Sequence, residues 1–245
     1  MRVTVLGGSG AWPTAAEPCS GFLVEHDGFS LLVDAGYAVL PQLMALMPVE
    51  QLDAVYISHG HPDHCSDLNP LLRARALGGA DPKPLPVYAP HRALDAVLAL
   101  DRPGMLDDAL TRHDFEPGDA FSIGPFEART TLLPHSRPNA AVRLTADARS
   151  LVYTGDGGPT PNLVALARGA DALIAEATYA SVIPDDDGTL CTARDAARQA
   201  AEADVARLVL THLWAGSEPE EWVEAAAREY DGSTYVATSG LTFDV

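Results

Sequence analysis

The chain is short of cysteine, of positive charge and of long apolar runs, and each shortage narrows what it can do. Three cysteines in 245 residues, Cys19, Cys65 and Cys191, are odd in number and far apart. That pattern excludes a disulfide framework and points to a reducing compartment, the cytoplasm. No apolar run approaches the ~18 residues that read as a membrane span, so no membrane partner is expected. The N-terminus, Met1-Arg-Val-Thr-Val-Leu-Gly7, lacks the apolar core of a signal peptide and reads as a first strand. Against 34 Asp and Glu stand only 16 Lys and Arg, a net charge of −18. The cations are dispersed, so duplex DNA is excluded as a partner and long RNA is disfavoured, both being polyanions. Also missing are a Gly-x-Ser-x-Gly nucleophile elbow, a phosphate-cradling Gly-x-x-x-x-Gly-Lys loop and a Cys-x-x-Cys metal motif. A small-molecule substrate is the expectation, with a homodimer left open.

What is present is a concentration of metal-ligand side chains. Residues 58–67 read Ser-His-Gly-His-Pro-Asp-His-Cys-Ser-Asp. His59, His61, Asp63 and His64 bring three of the 8 histidines and a carboxylate together over a few positions. That donor mixture suits Zn²⁺, Mn²⁺ or Fe²⁺. The preceding stretch, residues 53–58, reads as a buried strand, so the cluster sits in a loop at a strand's end. There four donors can converge on one point, as they could not along a helix. Pro62 biases His61 away from helical geometry and delays any helix until after it. Cys65 reads as a small packing residue beside the cluster.

No linker, low-complexity tract or internal repeat interrupts the chain, and residues 1–245 read as one domain. Strands are expected at 3–6, 21–26 and 30–33, the last two joined by the turn signal Asp27-Gly28. A helix at 40–47, the strand before the histidines and a helix at 69–77 ending at Gly78-Gly79 follow. Residues 78–86, rich in Pro and Gly, read as a surface loop. A strand at 87–89, a helix at 92–100 and strands between 111 and 152, including 126–133 and 141–145, come next. Helices at 162–168, 192–203 and 220–230 then alternate with strands at 172–175, 208–211 and 234–237. Two strand-rich runs, each followed by helices, imply two packed sheets with helices outside.

Three further donors repeat the context of the cluster. His135 follows the apolar run Thr131-Leu-Leu133-Pro134, Asp156 follows Leu151-Val-Tyr-Thr154, and His212 follows Leu208-Val-Leu-Thr211. Each stands just past a hydrophobic strand, where α/β sheets place their ligands. Glycines flank Asp156 and let backbone approach closely. His26, His91 and His113 sit in turn-like contexts and read as surface residues.

This order of motifs, His-x-His-x-Asp-His, a lone His, Gly-Asp and a final His, resembles the metallo-β-lactamase superfamily over nearly the whole chain. Leu6-Gly-Gly-Ser-Gly10 and Leu32-Val-Asp-Ala-Gly36 add to the likeness. The resemblance implies an α/β (α+β) fold, a four-layer αβ/βα sandwich with metals in a shallow groove at one edge. It implies that His59, His61 and His135 hold one metal ion, that Asp63, His64 and His212 hold a second, and that Asp156 bridges them. Asp34 would be a carboxylate behind the ligands that hydrogen-bonds and orients them. Two divalent ions are implied, zinc first, with Mn²⁺ or Fe²⁺ as alternatives. Within the superfamily, Gly7–Gly10, Gly155-Asp156, Glu176-Ala-Thr178 and Leu210-Thr-His212 are most similar to the ribonuclease Z and cyclic-phosphodiesterase branch. Ribonuclease Z proteins carry a His before that Glu-Ala-Thr, where this chain has Ala175, and a long tRNA-gripping arm that the short segment between His135 and Asp156 lacks.

Two cations roughly 3.5–4 Å apart share a water and lower its pKa toward neutrality. Hydrolysis without a covalent intermediate is therefore expected, with Asp63 as the proton-handling catalytic residue. The preferred substrate class is a small phosphodiester such as a cyclic nucleotide. The alternatives are a lactone or thioester hydrolase, in which Tyr153 or Tyr179 assists the oxyanion, and a ribonuclease Z-type RNase. For the phosphodiester reading, glycines 7–10 are expected to leave space beside the site, and the helix starting near Thr192 to offer N–H groups to an anion.

Overall fold

Alternating burial writes the architecture strand by strand. In Gly21–His26, Phe22 and Val24 face one apolar layer and Leu23 another. In Phe29–Val33, Leu31 and Val33 face the first layer and Leu32 the second. A strand buried on both faces needs a sheet on one side and helices on the other, and that is the arrangement found. In the computed structural model, which describes every residue except 81, 186, 215 and 217, the described residues form two seven-stranded sheets. Across the first sheet run Thr242–Asp244, Arg2–Gly7, Gly21–His26, Phe29–Val33, Ala54–Tyr56, Leu85–Pro90 and Leu110–Phe115. Across the second run Ser233–Val236, Arg207–Thr211, Ala172–Glu176, Arg149–Tyr153, Asn139–Ala146, Phe126–Leu133 and Ala120–Ile123.

The sheets meet over a layer built from Val3, Val5, Phe22, Tyr56, Phe126, Val142, Tyr153 and Val209. Outside the first sheet, helices Val39–Leu46 and Leu68–Leu77 bury Val39, Leu43, Leu68, Leu71 and Leu72. Outside the second, Ala193–Glu202 presents Ala193, Ala196, Ala197 and Ala200, the i, i+3, i+4, i+7 stripe of a helix lying on a sheet. Four layers result, helix–sheet–sheet–helix, the αβ/βα sandwich. Among the described residues no helix is long and apolar enough to cross a membrane.

Two expectations about elements need correction. The helix expected over 92–100 is confined to Asp95–Leu98, because Arg92 sits at φ +65, which no right-handed helix accepts. The strand Thr242–Asp244 was not anticipated; three residues carry too little pattern, and only pairing with Arg2–Gly7 defines it. The 78–86 stretch divides into a loop with exposed residues and the start of Leu85–Pro90; residue 81 lies outside the described residues.

For the site, what matters is where strands end. Phe29–Val33 pairs in parallel with Ala54–Tyr56, and Arg149–Tyr153, Ala172–Glu176 and Arg207–Thr211 pair in parallel with one another. Their carboxyl ends deliver Asp34, Ser58-His59, Asp156, Thr178 and His212 to one region. The antiparallel strand Phe126–Leu133 ends just before His135.

Candidate metal centre

The histidine loop takes its form from Pro62. His61 is extended (φ −77, ψ 145) and caps a one-turn helix, Pro62–Cys65, in which proline occupies the first position, where its missing N–H costs nothing. The turn carries Asp63 and His64 inward, while His59 and His61 remain on the extended side. Opposite, His212 is in the left-handed region at φ +60, a strained conformation that swings its ring off the strand and toward Asp63. Gly155 is left-handed too, at φ +60, and a Cβ there would lie 2.2 Å from Asn139 Oδ1. Only glycine permits the turn that presents Asp156.

Donor atoms gather in two groups that share Asp156: His59, His61, His135 and Asp156, and Asp63, His64, Asp156 and His212. In the first, His59 Nε2 and His135 Nε2 lie 3.0 and 3.1 Å from His61 Nδ1. In the second, His212 Nε2 is 3.2 Å from Asp63 Oδ2 and 3.3 Å from Asp156 Oδ2, and His64 Nε2 is 3.1 Å from Asp156 Oδ1. The structure thus brings together all seven residues proposed from sequence as ligands. His26, His91 and His113 lie elsewhere: His26 meets Asp147, His91 is near Asp114, and His113 stacks on Tyr88.

Hydrogen bonds at the far side of four of the five rings decide which nitrogen faces the centre. His64 Nδ1 lies 2.7 Å from Asp34 Oδ2, and His135 Nδ1 lies 3.0 Å from the carbonyl of Thr189; both partners only accept. Thr178 Oγ1 gives its proton to Glu176, so it accepts from His212 Nδ1–H at 2.9 Å. Ser58 Oγ gives its proton to Asp34, so it accepts from His59 Nδ1–H at 3.1 Å. In the neutral imidazoles, four Nε2 lone pairs therefore point inward, where they meet one another and carboxylates. His64 Nε2 and Asp156 Oδ1 are buried with no hydrogen-bond partner. Convergent lone pairs of this kind fit a divalent cation, and oriented imidazoles are how such ions are held.

Asp34, fully buried, accepts from the Ser58 backbone N–H at 2.7 Å, Ser58 Oγ at 2.7 Å, His64 Nδ1 at 2.7 Å and Tyr153 Oη at 2.6 Å. It stands in neither donor group and holds the imidazoles from behind. Sequence reasoning passed over Asn139, which donates to the Thr154 and Asp156 carbonyls and accepts from the Asp156 N–H, fixing that turn. Glu176 was noted only within the Glu176-Ala-Thr178 motif and given no role; it takes the Gly157 N–H and the Thr178 hydroxyl. Asn139 has no spacing signal; the role of Glu176 could have been suspected from a carboxylate ending an otherwise apolar strand.

The electrostatics follow from burial and mutual charge. Desolvation lowers His59 well below its usual range and lowers His61 less strongly, with the charges of His64 and His135 adding to the respective effects. For His64 and His212 burial works the same way, but Asp156, Asp34 and Asp63 overcome it and raise both. Asp63 and Asp156 would be pushed up by burial, yet their histidine neighbours bring both below the usual carboxylate range. The carboxylates are thus ionised at neutral pH. Cys65 packs in the helix-side apolar layer, its thiol pushed up to about 12 by burial, and belongs to neither donor group.

Three sequence expectations are corrected by the packing. Gly10 leaves no open space toward the donors: a Cβ there would meet His212 at 2.7 Å, so the glycine admits His212 itself, and the space beside these glycines is confined to a recess at Gly8 and Ser9. The N-terminus of Ala193–Glu202 is closed by its own residues, Thr192 accepting from the Asp195 N–H and donating to the Asp195 carboxylate. Tyr153 is buried with its hydroxyl committed to Asp34, which leaves Tyr179 alone for an oxyanion role.

A sandwich of this topology carrying paired His/Asp groups defines a class, and comparison of the sequence agrees: the family described as "Beta-lactamase superfamily domain" matches residues 30–213, and the chain belongs to that superfamily. It is a metal-dependent hydrolase of this class. A relative along its full length is "Probable metallo-hydrolase YhfI" of Bacillus subtilis, 32% identical over 250 residues with 100% of both chains covered. The crystal structure of that protein superposes with a TM-score of 0.90 at 30% identity, covering 99% of this chain and 98% of the other. Human tRNase Z, short form, gives 0.81 at 21% identity, covering 100% and 99%. A diphosphatase from the PhnP family gives 0.78 at 19% identity, covering 100% and 97%. The last two likenesses are of fold.

Proposed function

We propose that the chain is a dinuclear phosphodiesterase acting on a compact phosphodiester such as a cyclic nucleotide. The observation that carries this reading is the pair of donor groups sharing Asp156. His59, His61 and His135 would hold one divalent ion, Asp63, His64 and His212 the other, with Asp156 between them and zinc the best match to the donor set. When bound, two such ions supply a hydroxide nucleophile near neutral pH and polarise the oxygen of the ester.

The protein's own groups do the rest. Asp34, Ser58, Thr178 and the Thr189 carbonyl keep His64, His59, His212 and His135 in the tautomer that presents Nε2, while His61 presents Nδ1. Asp63 Oδ2 faces His212 and accepts the Ala11 N–H at 2.9 Å, which leaves Oδ1 to pass a proton to the leaving group. Preference for a phosphodiester is supported by fold neighbours named for chemistry at phosphorus, tRNase Z and a diphosphatase. The net charge of −18 argues for a small substrate over long RNA or DNA.

The test is a panel on metal-loaded protein: bis-p-nitrophenyl phosphate, cyclic nucleotides, lactones and thioesters. Phosphodiester turnover should exceed the others. Good hydrolysis of lactones or thioesters with every phosphodiester untouched would replace this reading with the carbonyl one, in which Tyr179 faces the oxyanion.

A further inference from the structure

Beside the second donor group stands a set of aromatic rings that the ligand set does not use. Trp12 and Trp214 meet edge to face with centroids 4.9 Å apart, and Tyr179 stacks against Trp214 at 5.6 Å and 18°. Trp12 is 45% and Trp214 39% exposed, in a chain with only 3 tryptophans. Each ring is tied to the centre by a short stretch of backbone. Trp12 follows Ala11, whose N–H is bonded to Asp63. Trp214 comes two residues after His212, and Tyr179 follows Thr178, which holds the His212 ring. A short parallel pairing of Leu213–Trp214 with Ser9–Gly10 fixes Trp214 against the loop that leads to Trp12. Behind Trp214 lies a recess of about 330 Å³ that also touches Gly8, Ser9 and Glu17, at the small end of ligand-pocket sizes.

We propose that Trp12, Trp214 and Tyr179 form a stacking ledge for the base of a nucleoside phosphodiester, so that the substrate class is a nucleotide and not a simple alkyl phosphate. The inference rests on the phosphodiesterase reading and deepens it. Large exposed aromatics otherwise cost solubility, and here they gather at the rim of the ligand cluster. A protein partner covering these rings would close the site, whereas a base stacked on them carries its phosphate to the donors. Stacking also supplies affinity without cations, which suits a chain with few of them, and it tolerates any base because every base has a π-face.

The test compares metal-loaded wild type with Trp12→Leu, Trp214→Leu and Trp214→Phe. The substrates are adenosine cyclic 3′,5′-phosphate and the base-free methyl riboside cyclic phosphate. In wild type the nucleotide should be preferred, and either leucine variant should reduce that preference in kcat/KM by about tenfold or more, mainly through KM. Trp214→Phe, which keeps a ring, should restore most of it. Leucine variants with an unchanged preference would overturn the ledge. A separate readout is tryptophan fluorescence, to which the buried Trp222 contributes a background that ligands do not reach. Adenosine 5′-monophosphate should quench wild type, and ribose 5-phosphate should not. Equal responses to the two would overturn the proposal even if phosphodiesters are hydrolysed. Quenching by the nucleotide alone, in a protein that hydrolyses no phosphodiester, would sustain the ledge and refute the catalytic reading.

Discussion

Replacing Asp34 by Asn tests whether the centre is oriented from behind. The carboxylate takes four donors: Oδ1 accepts the Ser58 N–H, and Oδ2 accepts Ser58 Oγ–H, His64 Nδ1–H and Tyr153 Oη–H, all between 2.6 and 2.7 Å. An amide keeps one oxygen. If that oxygen stays with the Ser58 N–H, the NH₂ faces three donors; if it turns round, the NH₂ faces a backbone N–H. Neither arrangement satisfies the site. A bond to a charged group contributes about 1.5–3 kcal/mol net, and removing one partner of a buried charged network typically costs about 3–5 kcal/mol. A destabilisation of about 3–5 kcal/mol is therefore expected for metal-free protein, read by urea unfolding.

The same change acts on metal. With an amide at Oδ2, His64 can answer only by offering its Nδ1 lone pair, which moves its proton to Nε2, the atom facing Asp156. Loss of an orienting partner typically lowers metal affinity about 10–100-fold, and the loss should fall on the group containing His64. His59 feels Asp34 only through Ser58, so the other group should lose less. Zinc titration in competition with a chromophoric chelator, with metal content measured after dialysis, separates the two. Wild-type affinity for both ions in a folded Asp34→Asn protein would refute the orienting role.

Three further outcomes are expected. Elemental analysis should find about two transition-metal ions per chain, and Asp156→Ala should lose most of the second; one stoichiometric ion in wild type would end the dinuclear reading. Asp63→Ala removes both a ligand and a proton-carrying oxygen and should lower phosphodiester turnover by about a hundredfold or more, checked by steady-state rates at saturating metal; a loss confined to KM would contradict the role. Burial, and then the charge of Asp156, pushes the Glu176 carboxyl up to about 7 from its ordinary 4.5. Folded metal-free protein thus keeps a proton there that the unfolded chain gives up, a contribution present below about pH 4.5 and lost as pH rises through about 7. Glutamine imitates the protonated acid at every pH, so Glu176→Gln should gain stability relative to wild type across that window in urea melts, and a pH-independent difference would show the carboxyl to be ordinary.

Much of the centre was legible because its parts are local. A histidine cluster after an apolar strand, and single donors after three more, need only residue type and hydrophobic pattern to be seen, whereas Asp34 was marked only by the family resemblance of Leu32-Val-Asp-Ala-Gly36. The fold class followed from two strand-rich runs, each followed by helices. Two of the failures depended on a neighbour distant in sequence: Gly10 looked like open space and is filled by His212, and Tyr153 looked available and is bonded to Asp34. The third was local: Thr192 looked like an anion site, yet Asp195, three positions on, already carried the capping signal.

By itself, then, the sequence determined the donor types, their positions at strand ends and the metals they suit, since these are properties of side chains and of local backbone. The tertiary structure alone decided convergence. His212 and Asp63 are 149 positions apart and meet at 3.2 Å because two sheets pack face to face and bring their strand ends to one region. It also decided protonation: which imidazole nitrogen points inward depends on acceptors such as Asp34, Thr178 and the Thr189 carbonyl, and only the folded chain places an acceptor behind a ring.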